Sequence, residues 1–318
     1  MTQLHTILGA SGSIGRAVIQ ELQSKGINRQ AVERTAKLKG INTIQADLLN
    51  RDEAIKAIQG STHVYLCVGL PYRADVWKES WPLLMQNVID ACLATDAILI
   101  FLDNIYMYGP APLSVPFDEN HPQNPTTKKG LIRKQTVDLL LKAIKTNNLK
   151  AVVGRSADFY GPFAINSPLY FSFLQRMLEG KSPQSIAKRG IKHTYAYSVD
   201  NGKALVALAL DTSTYGQVWH LPVGKPVAVE ELTAIINKEL GTNFKTNFLH
   251  PVMLKILSLF ISPLKEIGEM LYQFDQDYQM SYEKFKTHFP DFKVTPYGQG
   301  IKEMIKSFKE ETSLKTNI

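Results

Sequence analysis

Gly9, Gly12 and Gly15 stand between an apolar run, Leu4 to Leu8, and a helical pattern that begins at Arg16. A strand that turns on glycine into a helix presents free backbone N–H groups at the positive end of the helix dipole, where a pyrophosphate is stabilised. Gly9 would permit the tight turn, Gly12 the close approach of phosphates, and Gly15 the tight packing of helix on strand. Ser11, Ser13 and Ile14 complete the loop as candidate cofactor contacts. The expectation is a bound dinucleotide.

Beyond this loop, short apolar runs alternate with helical patterns. Strands are expected at residues 4–8, 30–33, 43–45, 63–68, 97–102 and 151–154, and helices near 14–25, 52–58, 81–94 and 131–146. Such alternation implies right-handed βαβ crossovers and an α/β fold with a doubly wound parallel sheet. After residue 155 proline and glycine recur and the alternation weakens. Helices are expected near 199–210, 227–240 and 263–274, with a strand at 217–221. The expected division is a Rossmann domain over 1–160 and a smaller, mostly helical lobe over 161–318, with segments around 191–221 returning to the sheet.

The composition fits a globular protein: 318 residues, 44% hydrophobic and 20% charged. The formal charge of +7 comes from scattered lysines without a basic-aromatic stripe, which disfavours nucleic acid as partner. Cys67 and Cys92 both lie in apolar patterns and read as buried hydrophobes, with neither a disulfide nor a metal site expected. The chain begins almost directly with a strand pattern, and its longest apolar stretch, 252–261, is too short to span a bilayer. A cytoplasmic, membrane-free protein is expected.

Three further segments extend the cofactor reading. Val32-Glu33-Arg34-Thr35 ends the second strand, Ala46-Asp47-Leu48 follows the third, and Cys67-Val68-Gly69 ends the fourth. With the Gly-x-x-Gly-x-x-Gly loop they resemble the extended short-chain dehydrogenase/reductase superfamily, the epimerase/dehydratase kind, over nearly the whole chain. The resemblance implies that Asp47-Leu48 holds the adenine and that Cys67-Val68-Gly69 passes against the adenosine. Asp47 would equally serve as a cap for the following helix. Glu33 could accept from a free ribose 2′-hydroxyl and favour NAD, whereas Arg34 could clamp a 2′-phosphate. With Lys37 adding charge beside Arg34, the reading favours NADP, with NAD the alternative.

The same resemblance implies a serine or threonine, a tyrosine and a lysine in the active site. Here the frame Phe101-Leu102-Asp103-Asn104-Ile105-Tyr106-Met107-Tyr108-Gly109 puts Asn104 at the serine position. Lys128-Lys129-Gly130-Leu131-Ile132-Arg133 puts Lys129 where the tyrosine belongs and Arg133 where the lysine belongs. Arg155-Ser156-Ala157-Asp158-Phe159-Tyr160-Gly161-Pro162 matches a further family segment, with Asp158 in place of asparagine. The chain thus resembles an atypical branch of the superfamily.

Four residues become candidates for the chemistry. Asn104 could hydrogen-bond a substrate oxygen, Arg133 could take over a ribose contact, and Lys129 could act as acid or base. If residues 104–108 were extended, Tyr106 would share a face with Asn104 and could be the proton donor. Tyr106 could instead be an aromatic packed under its loop; Tyr160 and His193 are further candidates for the proton transfer, although a lone histidine on a β-pattern could be structural. The expected function is an NAD(P)-dependent oxidoreductase or isomerase on a small molecule, with an altered acid/base set and a homodimeric state. The alternative is a dinucleotide-binding regulator without turnover.

Overall fold

The computed structural model describes residues 3–249, 266 and 268–316. It divides into two compact units. The first comprises Met1–Gly109, Pro122–Ser156 and Val199–Leu221, and the second Pro110–His121, Ala157–Ser198 and Pro222–Ile318.

The first unit is built on a seven-stranded sheet, every neighbouring pair of which is parallel. Its strands are β1 (Leu4–Leu8), β2 (Asn28–Glu33), β3 (Thr43–Gln45), β4 (His63–Leu66), β5 (Ile98–Asp103), β6 (Ala151–Arg155) and β10 (Val218–His220). Their spatial order is β10-β6-β5-β4-β1-β2-β3, with a three-residue strand at each edge. The central strands β4 and β6 are buried along their length and β5 along most of it, as expected where both faces of a parallel sheet are covered.

Around the sheet lie α1 (Ser13–Ser24), α2 (Arg51–Ala57), α3 (Ala74–Thr95), α4 (Lys128–Asn147) and α6 (Ser198–Leu210). Helix α1 buries Ile14, Ala17, Val18 and Leu22, a stripe at helical spacing. Helix α4 is capped by Thr127, whose Oγ1 accepts from Gly130 N at 3.0 Å. Helices α3 and α4 end on Asp96 and Asn148 at positive φ, a left-handed stop that both residue types tolerate.

Helix α3 corrects the sequence expectation. The expected helix starts near Trp81, one residue before Pro82. The helix instead begins at Ala74 and carries Pro82 in its interior, where Trp77, Trp81, Leu84 and Met85 are all buried. Packing of this apolar face outweighs the hydrogen bond that proline removes.

The second unit contains the short parallel pairs β7 (Phe159–Tyr160) with β9 (Ala196–Tyr197), and β8 (Gln184–Ser185) with β11 (Asn247–Phe248). It also holds α5 (Gln175–Leu178), α7 (Val229–Leu240), α8 (Glu283–His288) and α9 (Tyr297–Thr316). Helix α9 has no counterpart in the sequence reading, although Ile301, Met304, Ile305 and Phe308 bury one face at the spacing a helix requires. The apolar stretch 252–261 lies outside the described residues. Of the helix expected at 263–274, residues Leu271–Phe274 form a 3-10 turn, and residues 263–265 and 267 lie outside the described residues. No described helix is long and apolar enough to cross a membrane.

Candidate functional site

Strand order reverses between β1 and β4, and the carboxyl ends of such strands open a crevice. The glycine loop leaves β1 there and Cys67-Val68-Gly69 leaves β4. Gly9 adopts φ +78°, and a Cβ on it would lie 2.7 Å from Val68 Cα. A Cβ on Gly15 would lie 2.4 Å from the Gly9 carbonyl oxygen. These two glycines are required by the protein's own packing. Gly12 is exposed, and a Cβ on it would meet only the Gly9 oxygen, at 3.5 Å. It leaves one side of the amino end of α1 open, where Ser13 and Ile14 begin the helix. Gly69 is likewise exposed, with open space where its Cβ would stand.

The Glu33 carboxylate, at the end of β2, accepts from the Ser11 amide inside the loop. Arg16 Nε donates to the Ser11 carbonyl at 2.8 Å, tying the loop to α1. Arg34 and Lys37 are exposed just beyond Glu33. Asp47 Oδ1 accepts from Leu49 N at 3.0 Å, above the buried Leu48. The cap of α2 is Asn50, whose Oδ1 accepts from Asp52 N and Glu53 N at 3.0 and 3.3 Å. Asp47 is therefore not needed as that cap. Burial pushes the Cys67 thiol up to about 12, and Cys92 is fully buried, so both remain protonated thiols.

Residues 104–108 turn instead of extending. Asn104 Oδ1 accepts from Tyr106 N at 3.1 Å, which closes the turn. Alternation therefore does not govern which way these side chains face. The half-buried Tyr106 ring stacks on Trp77, with centroids 6.2 Å apart and planes 16° apart. Gly130 brings the start of α4 against this turn, since a Cβ there would lie 2.5 Å from the Tyr106 carbonyl oxygen. Lys129 is consequently fully buried, with Nζ 4.5 Å from the centroid of Tyr72. Tyr72 meets Trp77 edge-on at 5.5 Å. Asn104, Tyr106 and Lys129 are thus gathered with Tyr72 and Trp77.

Arg133 is committed elsewhere. Its guanidinium donates to Asp103 Oδ1 and lies 4.2 Å from the centroid of Trp81. Asp103 Oδ2 accepts from Arg155 Nε at 3.2 Å, and Arg155 Nη1 donates to Tyr108 Oη at 2.8 Å. Tyr108 Oη lies 2.6 Å from His220 Nε2. Burial opposes the Arg155 charge, but the hydrogen bonds it donates to Tyr108 and Asp103 and the charge of the Asp103 carboxylate outweigh it and hold the guanidinium above its ordinary value. These five residues are all buried.

Sequence reasoning passed over Asp103, Tyr108 and His220 as site residues, although a carboxylate ending the apolar run 98–102 was the available signal. Trp77 was passed over because the start of α3 was misplaced. Tyr160 and His193 belong to the second unit. Tyr160 packs on Tyr197 and Tyr297, and His193 Nε2 lies 3.3 Å from Asp158 Oδ2 with its ring stacked on Phe274 and Tyr278. Among the described residues no group of three or more His, Cys, Asp or Glu is placed to hold a metal ion.

The model of the NAD dependent epimerase/dehydratase family matches residues 5–219. The chain belongs to that family. Solved structures of the epimerase/dehydratase fold cover almost the whole chain. One is the Bordetella bronchiseptica enzyme WbmH in complex with NAD+, at 18% identity and TM-score 0.77 over 98% of this chain and 99% of that one. Another is UDP-N-acetylglucosamine 4-epimerase from Bacillus cereus, at 16% identity and TM-score 0.78 over 96% of each chain. A third is the dTDP-glucose 4,6-dehydratase DesIV from Streptomyces venezuelae, at 13% identity and TM-score 0.79 over 98% of each chain. No curated protein matches the sequence. This epimerase/dehydratase family member keeps the family's sheet and carries Asn104, Lys129 and Arg133 in its site frame.

Proposed function

We propose that this chain is an NAD(P)-dependent oxidoreductase or isomerase of the epimerase/dehydratase kind, acting on a small molecule with an altered acid/base set. The observation that carries the reading is the contrast among the loop glycines: Gly9 and Gly15 are needed by the fold, whereas Gly12 is open at the amino end of α1. The backbone N–H groups of residues 12–14 would receive the pyrophosphate there. Asp47 would accept from the adenine amine, and Cys67-Val68-Gly69 would pass beside the adenosine. Glu33 lies at the loop, where a carboxylate accepts from a ribose hydroxyl and opposes a 2′-phosphate. On this ground NAD is preferred, with Arg34 and Lys37 as the groups that would favour NADP.

When bound, the nicotinamide supplies the hydride donor and acceptor. Asn104, its Oδ1 engaged by Tyr106 N, is left with its Nδ2 to orient a substrate oxygen. Lys129 Nζ is the proposed site of proton exchange, with Tyr106 the other candidate. Arg133, held by Asp103, serves as a positioning group that fixes α4, and hence Lys129, against β5. The exposed Leu83 on α3 and Leu131 on α4 support a second copy of the chain as partner.

The test is direct. Titration calorimetry with NAD, NADH and NADPH should show dinucleotide binding, tightest for the NAD pair, with Glu33→Ala moving the preference towards NADPH. Absence of binding by all three would overturn the reading. A second reading, a dinucleotide-binding regulator, draws support from the complete burial of Lys129. It predicts binding without hydride transfer on any substrate.

A further inference from the structure

His193, in the second unit, is 3% exposed, and neither of its ring nitrogens has a hydrogen-bond partner among the described residues. Its Nε2 lies 3.3 Å from Asp158 Oδ2, a carboxylate oxygen that is likewise buried and without a hydrogen bond there. A neutral imidazole offers one donor and one acceptor, and a carboxylate only accepts; such groups, when buried, are ordinarily paired. Here they face each other out of hydrogen-bonding alignment.

The backbone holds the ring in this place. His193 N donates to Val227 O at 3.1 Å, Val227 N to His193 O at 3.0 Å, and Thr194 N to Tyr278 O at 3.2 Å. The imidazole stacks on Phe274 and Tyr278, with centroids 5.7 and 5.2 Å away, and lies tilted against Tyr195 at 4.7 Å. Asp158 stands between β6 and β7, where its own carbonyl oxygen accepts from Ala196 N at 2.9 Å.

The other titratable groups around the pair are already committed. Burial, joined by the Asp158 charge, pushes the Tyr195 phenol up, and burial is the main cause that raises Tyr272 and Tyr278, so all three stay neutral. Asp277 accepts from Lys192 N and from Gln279, Glu230 from Gly190 N, and Glu231 from Ala228 N. Among the described residues, the ion-pair partner of Asp158 is His193.

We propose that His193 and Asp158 form a proton-operated clamp within the second unit, which closes as pH falls. A proton taken up by the ring from solvent makes both nitrogens donors, and Nε2–H then closes the 3.3 Å gap to Asp158 Oδ2 as a charge-assisted hydrogen bond. The same positive charge lies against aromatic rings, which attract cations. Imidazole is the side chain whose ordinary change of charge falls between pH 5 and 8. Closed, the clamp fastens the turn between β6 and β7 to the segment bonded to Val227 and Tyr278. It needs no cofactor and stands apart from the functional reading above.

A double-mutant cycle tests it on the full chain, with Asp158→Asn, His193→Phe and the two combined, followed by urea denaturation. The unfolding constants should show a coupling between the two positions of at least about tenfold at about pH 5, falling to within about twofold of unity at about pH 8. A coupling equal at the two pH values, or none at about pH 5, would overturn the clamp and leave a pair that is structural only. Nitrogen-15 spectra of the unsubstituted chain read the same event without any variant, the His193 ring being assigned through its own backbone. Nε2 should become a hydrogen-bonded N–H as pH is lowered from about 8 to about 5. A ring that keeps one protonation state across that range would equally overturn the proposal.

Discussion

Arg133 reaches from α4 to the carboxylate of Asp103 at the end of β5, with both side chains removed from water. Asp103 is also the ionic partner of Arg155, so one carboxylate is shared by two buried guanidinium groups. Removing one member of such a group leaves uncompensated charge in a low dielectric. Asp103→Asn should lower unfolding free energy by about 3–5 kcal/mol, read from urea denaturation. A loss below about 1 kcal/mol, the value of an exposed pair, would refute the structural role.

The glycine loop yields a discriminating set of variants. Gly15→Ala would force a Cβ to within 2.4 Å of the Gly9 oxygen, and Gly9→Ala would add strain at positive φ. Both should lower the melting temperature by several degrees. Gly12→Ala should leave it within about one degree while weakening NAD at least about tenfold. Equal loss of stability in all three would contradict the division of roles.

At the opposite ends of the strands, His5 is fully buried, stacked on His63 at 4.1 Å and within 3.0 Å of Tyr65 Oη. Burial, with the neighbouring His63 charge, brings His5 down to about 3, and burial lowers His63 as well. The unfolded chain takes up a proton near pH 6.5 that the folded one refuses. The associated stability is complete above pH 6.5 and is lost as pH falls towards 3. Between pH 6.5 and 4 the loss from His5 should be on the order of 3 kcal/mol, measured by denaturation at each pH. His5→Gln should flatten that slope.

Thr127 sets where α4 begins, and so where Lys129 lies. Thr127→Ala should cost about 1 kcal/mol of stability. Thr127→Ser should restore it, because the hydroxyl that accepts from Gly130 N is retained. A serine variant no better than alanine would show that the cap is not what holds the turn.

Much of the sheet was legible because period-two and continuous apolar runs are strong local signals, and the glycine loop gave the order of its first elements. Strands 4–8 and 43–45 coincide with β1 and β3. The start of α3 was not legible, because Pro82 gives the same signal at a helix start as in an interior rescued by packing. The turn at 104–108 was also hidden: Asn104 closes it by a side-chain bond that leaves no periodicity. Asp103, Arg133 and Arg155 were visible as residues, but their union depends on β5, β6 and α4 meeting in space, which no spacing along the chain encodes.

Both margins of the seven-stranded sheet are strands of only three residues, β3 and β10. A foreign strand seeking to extend the sheet would find at each side a ladder too short to register against. Despite a centre of uninterrupted apolar strands, the native chain is therefore poorly suited to template fibril growth. Any aggregation at high concentration should begin from unfolded molecules, not from stacking of folded ones.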